Sequence, residues 1–233
     1  MQLLGGVLLA AIAVVAVAIA ISSSGSSTPK ATPSAFKGAA STVDASLSGI
    51  PQSGVTIGSP NAKVTVTEYG DLQCPICRDF ALGAENQLIS NDVKAGRVKL
   101  VYKSLETASG SSPNPGIFPT QQAAAYAAGA QGKAWNYILV FYHQQGQEGT
   151  AYVNQTFLND IAQSIPGLNF SKWKSNSSSS TYTAQVQSDQ QQATTRGFSS
   201  TPTIVVQGPK GAAQPIVGNT DYGTLQSAIK SVS

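Results

Sequence analysis

Residues 63–80 read Lys63-Val64-Thr65-Val66-Thr67-Glu68-Tyr69-Gly70-Asp71-Leu72-Gln73-Cys74-Pro75-Ile76-Cys77-Arg78-Asp79-Phe80, and this stretch decides the fold. Its first part alternates and is β-branched from Val64 to Thr67, which is the pattern of a strand. Gly70-Asp71-Leu72-Gln73 turns the chain. Ile76, Phe80, Ala84 and Leu88 then recur every four residues, the apolar stripe of a helix. The pair Cys74 and Cys77 therefore sits where a strand ends and a helix begins.

That placement has a chemical reason. The first turn of a helix leaves backbone N–H groups unpaired and carries partial positive charge. A thiolate at Cys74 is favoured there over its thiol, and such sulfurs titrate at about 3.5–7.5 rather than about 8.5. Cys77, one turn on, lies on the same face within reach of Cys74. Pro75 suits a first helical turn because its missing N–H costs nothing there. Cys74 is thus the exchanging sulfur, and Cys77 resolves the mixed disulfide that Cys74 forms. Half a zinc site, a structural disulfide closing a very short loop, or two inert core thiols are the competing readings. His143 is the single histidine, which leaves a zinc site short of ligands.

Outward from this stretch, Val55-Thr56-Ile57 is a short strand candidate and residues 97–105 another. Residues 109–119 carry three prolines and two glycines and read as a loop. Ala123, Tyr126, Ala127, Ala130, Ala134, Ile138, Phe141 and Tyr142 keep helical spacing in one long region through Gly129 and Gly132. Phe157 to Ile165 marks a second helix, stopped by Pro166-Gly167, and residues 177–196 a third, more polar one. Two strands follow around residues 203–206 and 215–217, then an amphipathic helix through Tyr222, Leu225, Ile229 and Val232. A strand–helix–strand start and a strand–strand–helix finish build one sheet covered on both faces, with the middle helices inserted between the halves. The fold class is α/β, with an inserted helical domain.

Residues 3–21 form an uncharged apolar run that as a helix spans roughly 28 Å, close to the ~30 Å of a bilayer's hydrocarbon core. Residues 1–21 are read as a transmembrane signal anchor, with a cleaved signal peptide as the alternative. No Lys or Arg precedes the run, whereas Lys30 and Lys37 follow it, so charge bias does not support the orientation. Residues 22–46, rich in Ser, Thr, Pro, Gly and Ala, read as a flexible linker. Residues 47–233 form the folded domain, with the helical insertion at about 107–197. A net charge of +3 with no basic block leaves nucleic-acid binding without an electrostatic footprint. Trp135 and Trp173 are read as core, and His143 as a helix-end residue. Three Asn-x-Ser/Thr triplets, at Asn154, Asn169 and Asn176, are within chance for a chain this rich in those residues.

Residues 69–80, with Gly58-Ser59-Pro60-Asn61-Ala62-Lys63-Val64 before them, resemble the active-site region of DsbA-like thioredoxin-fold proteins of bacterial envelopes. Residues 124–142, with Gln131-Gly132-Lys133-Ala134-Trp135, are similar to that family's helical insertion, and Thr201-Pro202-Thr203 to its loop facing the cysteines. The likeness covers roughly residues 47–232. It implies a cis peptide between Thr201 and Pro202, which would set the Thr201 backbone beside Cys74 to pair with a bound peptide. It also implies that Glu68 is a buried acid near Cys77, able to relay a proton. Strand alternation agrees, because Glu68 shares a face with Val64 and Val66; a solvated strand end is the alternative. Ile76 stands where the family's strongest oxidants carry His, which implies a milder poise, and Ser200 where many relatives have Gly.

The expected function is an extracytoplasmic, membrane-anchored thiol–disulfide oxidoreductase acting most directly as an oxidase. Its substrates are reduced or misoxidised secreted proteins. A membrane quinone-linked partner of the DsbB or vitamin K epoxide reductase type reoxidises it, with no cofactor or metal of its own. An envelope reductase or isomerase, or a non-catalytic holdase or scaffold, are the alternatives.

Overall fold

The structure, a computed structural model, describes residues 32–233. It begins with α1 (Pro33–Leu47), the short strands β1 (Gln52–Ser53) and β2 (Thr56–Ile57), and the long strand β3 (Val64–Gly70). The helix after the turn starts as α2 (Pro75–Phe80). It continues through a π-helical turn (Ala81–Glu85), α3 (Asn86–Leu88) and a second π-helical turn (Ile89–Val93) into β4 (Val98–Ser104). Five helices then intervene: α4 (Ile117–Gly129), α5 (Ala134–His143), α6 (Gln155–Ser164), α7 (Phe170–Ser177) and α8 (Ser180–Thr195). The chain returns through β5 (Thr203–Gly208), β6 (Gly211–Ala212) and β7 (Ile216–Val217) and ends in α9 (Tyr222–Val232).

Among the described residues one sheet runs in the order β1-β2-β4-β3-β5-β6, with β7 also on β5. β3 lies parallel to β4 from Val64↔Val98 to Gly70↔Ser104 and antiparallel to β5, where Tyr69 faces Thr203. A parallel pair needs a crossover, and α2 with its continuation supplies it. β3 is therefore central, and its last residues, Glu68, Tyr69 and Gly70, are all buried. The turn carrying the dithiol leaves the sheet at the carboxyl end of β3, where open α/β sheets hold their sites. The thioredoxin-like α/β fold with a helical insertion is thus as expected.

The linker expected over residues 22–46 is corrected from Pro33 onward. Thr32 caps α1 by accepting from the Ala35 N–H at 3.3 Å, and Pro33 opens the first turn. Phe36, Ala40, Val43 and Leu47 follow at helical spacing and are all buried. Phe36 meets the Phe157 ring edge-on at 5.6 Å. Burying Phe36, Val43 and Leu47 stabilises by about 1.5–3 kcal/mol each. Four apolar contacts among small polar residues suffice to order a segment whose composition reads as a tether. The anchor expected at residues 1–21, and residues 22–31 of the linker, lie outside the described residues. Among the described residues no helix is long and apolar enough to cross a membrane.

Other expectations shift for local reasons. The long helix over residues 123–142 is two, because Gly132 takes φ +67 and ends the first. Gly129 has no space for a side chain, since a Cβ there would lie 2.6 Å from the Gly54 carbonyl oxygen. The loop over residues 109–119 gives way to α4 at Ile117, and α7 is an additional helix. The side chains of Asn154 and Asn169 accept from Phe157 N–H and Lys172 N–H and so start α6 and α7. Trp135 and Trp173 are core as expected, their indole N–H groups donating to Val55 O at 3.0 Å and Ala124 O at 2.8 Å. His143 ends α5 at the surface.

Candidate active site

The site is built on the turn between β3 and α2. Cys74 is the N-cap residue of α2, with extended backbone (φ −74, ψ 120), and Pro75 occupies the first helical position. The Cys74 N–H donates to Asp71 O at 2.9 Å, closing the turn. Cys77, one helical turn on, points its backbone N–H at the Cys74 sulfur, N to Sγ 3.4 Å. Both cysteines are free thiols. The sequence expectation of two sulfurs on one helix face is met.

The surroundings drive the two thiols apart. Cys74 falls from the ordinary value near 9 to about 6. The largest cause is the hydrogen bond from the Cys77 thiol; the Thr201 side chain and the helix N–H groups of Cys77 and Ile76 add to it, and partial burial opposes them. The helix start thus contributes as expected, but the neighbouring thiol contributes more. Cys77 is pushed well above the ordinary value, first by burial and then by Cys74. One sulfur is an anion at neutral pH and its partner a thiol. That is the asymmetry a stepwise disulfide exchange uses.

The Thr201–Pro202 peptide is cis. Although 127 residues away in sequence, the Thr201 carbonyl oxygen lies 3.6 Å from Cys74 Sγ. A shallow depression of about 330 Å³ opens over the sulfur, lined by Ile76, Ala108, Glu148, Ser200 and Thr201 among others. Ile76 is 42% exposed, one of two large apolar side chains so exposed among the described residues. It offers an apolar contact beside the Cys74 sulfur.

Glu68, at the end of β3, is buried as the strand alternation requires, and the solvated alternative is set aside. Neither of its carboxyl oxygens meets a hydrogen-bond partner. Burial first, and the neighbouring Glu85 second, raise it well above the ordinary carboxyl range. Gly70 makes room for this, since a Cβ there would lie 2.8 Å from the Tyr102 ring and 2.9 Å from Glu68 Oε1.

Four residues of the site escaped the sequence reading. Asp71 is fully buried, and its carboxylate accepts from the N–H groups of Gln73 (3.0 Å), Thr107 (2.9 Å) and Ser109 (2.8 Å). It also accepts from the Ser109 hydroxyl and from Gln121 Nε2. One carboxylate thereby ties the turn before Cys74 to residues 107–109 after β4. Thr107 in turn shares a hydrogen bond with Thr201, Oγ1 to Oγ1 2.5 Å. Gln145, just beyond α5, donates from Nε2 to Leu72 O at 2.8 Å and Cys74 O at 3.1 Å. Glu85 completes the set. Only Asp71 left a signal, an acid inside a tight turn with no cation near it in sequence; the others come from distant segments.

The thioredoxin family model matches residues 51–231. The chain is 21% identical over 180 residues to a probable disulfide bond formation protein D of Bacillus anthracis, spanning 75% of this chain and 76% of that one. Oxidised BdbD from Bacillus subtilis superposes with a TM-score of 0.64 at 21% identity, covering 78% of this chain and 97% of that chain. A thioredoxin-like oxidoreductase from Silicibacter pomeroyi DSS-3 gives 0.59 at 25% identity, over 81% and 95%.

Proposed function

The chain belongs to the thioredoxin family as a thiol–disulfide oxidoreductase of DsbA-like build, and from that premise we propose that it works as an oxidase, donating its Cys74–Cys77 disulfide to secreted proteins outside the cytoplasm. The observation that carries this reading is the contrast between a Cys74 drawn down to about 6 and a Cys77 pushed up by burial. A stabilised thiolate favours the reduced form of the pair and so makes the disulfide a better electron acceptor.

The exchange runs in two steps. A substrate thiolate attacks Cys74 Sγ, the Cys74–Cys77 bond breaks, and Cys77 leaves as a thiolate. Cys77 is enclosed, and Glu68 is the acid that supplies its proton. A second substrate thiolate then attacks the substrate sulfur of the mixed disulfide and expels Cys74, a good leaving group at its lowered pKa. The substrate leaves oxidised and the dithiol remains. During both steps the substrate backbone pairs with Thr201 beside Pro202, while Ile76 gives an apolar contact that reads no particular sequence. Breadth of substrate follows.

A membrane quinone-linked partner of the DsbB or vitamin K epoxide reductase type takes the two electrons and restores the disulfide. The uncharged run at residues 3–21 supports an anchor that holds the domain near that partner. The name borne by the Bacillus anthracis relative, a probable disulfide bond formation protein, supports the oxidising direction.

One observation favours the opposite direction, a reductase or isomerase. Ile76 gives Cys74 no hydrogen bond from its side chain, and a thiolate at about 6 lies between the roughly 3.5 and 7 of strong oxidant and strong reductant. Equilibration of the dithiol with glutathione buffers decides. A potential between about −120 and −200 mV, with rapid oxidation of a reduced, unfolded protein by stoichiometric disulfide, supports the oxidase; one near −270 mV supports the reductase.

A further inference from the structure

The loop that follows α5 is fixed to the dithiol turn at its start, where Gln145 donates from Nε2 to Leu72 O at 2.8 Å and to Cys74 O at 3.1 Å. The next residue, Gly146, has no space for a side chain, since a Cβ there would lie 2.7 Å from the Tyr152 ring. That ring is itself packed edge-on against Phe157 at 5.3 Å and Phe141 at 6.5 Å. Beyond Gly146 the chain turns back sharply. Gly149 takes φ +76, and the Thr150 hydroxyl donates to Gln147 O at 2.7 Å. Glu148 stands in this turn, exposed, and lines the depression of about 330 Å³ over Cys74.

Of the described residues that line the depression, Glu148 alone bears a formal charge beside the Cys74 thiolate; the others are apolar or carry hydroxyls. Its carboxylate enters none of the ion pairs among the described residues, which join Arg97 to Asp92, Lys103 to Asp189 and Lys133 to Asp44. Arg196, the basic residue closest in sequence to Ser199 and Thr201, lies over the Phe198 ring at 4.8 Å and is not part of the lining. The chain as a whole carries +3, so the negative charge here is a local feature and not the field of the whole protein.

We propose that Glu148 is a specificity-determining residue, which favours substrate polypeptides carrying Lys or Arg close to the cysteine they present. The substrate sulfur meets Cys74 and its backbone runs along Thr201, so the neighbouring residues cross the depression. An extended chain advances about 3.3 Å per residue, which brings a side chain within about two residues of the cysteine to the Glu148 carboxylate. The resulting pair is exposed, so it grades the rate of exchange by about two- to fivefold and leaves the breadth of substrate otherwise intact.

This proposal rests on the dithiol reading above, and its test separates the two. The oxidised full chain is mixed with synthetic peptides identical but for the residues flanking a single cysteine, which are Lys, Ser or Glu. Two peptide thiols become one peptide disulfide as the protein is reduced to its dithiol. The rate is followed in about 10 mM and about 1 M salt, between which the screening length falls from roughly 30 Å to roughly 3 Å. A basic neighbour favours the thiolate of the peptide itself. The quantity read is therefore the Lys-to-Ser rate ratio, compared between wild type and variant, in which that intrinsic effect cancels.

At low salt the ratio is expected to be about two- to fivefold larger in wild type than in Glu148→Gln. In Glu148→Lys it falls further and the Glu-flanked peptide gains. At high salt the three proteins converge. Equal ratios in wild type and Glu148→Gln at low salt, or a wild-type excess that persists undiminished at high salt, overturn the proposal. A wild-type disulfide that none of the peptides reduces overturns the dithiol reading instead. Should the variants not fold, the same peptides reacting with hydroxyethyl disulfide, a small neutral disulfide, give the intrinsic ratio. A wild-type ratio above that value supports the proposal, and an equal one overturns it.

Discussion

Cys74 Sγ lies 3.6 Å from the carbonyl oxygen of Thr201, so this sulfur and the backbone beside Pro202 meet although 127 residues separate them. This meeting is what β3 and β5 achieve by pairing, with Tyr69 opposite Thr203. The strand that ends in the dithiol turn and the strand that starts after the Thr201 loop are neighbours, and their ends face the same space.

The Cys77 thiol is the largest cause of the lowered Cys74 value. Cys77→Ala should therefore raise the Cys74 midpoint from about 6 toward the ordinary value near 9, read as the pH dependence of alkylation. The same variant should trap mixed disulfides with substrate at Cys74, because nothing remains to resolve them.

Ile76→His should act in the opposite direction. A protonatable ring at an exposed position beside the sulfur adds a donor and a charge to the thiolate. Each unit by which Cys74 falls is about 1.4 kcal/mol, or about 30 mV for a two-electron couple. Equilibration with glutathione should show a more oxidising potential by that step or more.

Redox state should change the pH dependence of stability. Cys74 is depressed in the folded reduced protein, so its contribution is fully present above the unfolded value near 9 and is lost as pH falls through about 6. The oxidised protein has no thiol to titrate. The melting temperature of the reduced form should thus rise relative to that of the oxidised form as pH goes from 6 to 9.

Asp71→Ala strands the N–H groups of Thr107 and Ser109, each costing about 1–3 kcal/mol if it stays buried. Urea denaturation should show that loss. Freed of its tie, the residue 107–109 segment should also loosen Thr201, raising KM for a protein substrate more than it lowers kcat.

Phe36→Ala tests whether α1 belongs to the domain. Its ring is buried against Phe157, and such truncations cost about 3–5 kcal/mol. A change below 0.5 kcal/mol in urea denaturation would mean that residues 33–47 do not pack on the domain.

The stretch at residues 63–80 carried most of what was legible. Alternation up to Tyr69, a Gly-Asp turn and a four-residue apolar period place Cys74 at a helix start without knowledge of the rest of the chain. The cis peptide at Pro202 and the burial of Glu68 were expected from resemblance, the latter also from which face of β3 it takes. α1 was hidden because Ala40 and the serines around it make an apolar stripe look like a tether, and only packing against α5 and α6 turns it into a helix face. Asp71, Thr107, Gln145 and Glu85 were hidden for a different reason. Their roles come from neighbours 36 or more residues away or on another element, and no local pattern records such a meeting. The split of the helix at Gly132 turns on one positive φ, which a glycine permits but does not announce.

The proposed exchange depends on the inequality of the two sulfurs, and differential alkylation of the reduced protein measures it directly. Labelling each cysteine with iodoacetamide between pH 4 and 10 should give Cys74 a midpoint of about 6 and leave Cys77 unlabelled until the protein unfolds. Equal labelling of both, or a Cys74 midpoint near 9, would contradict it.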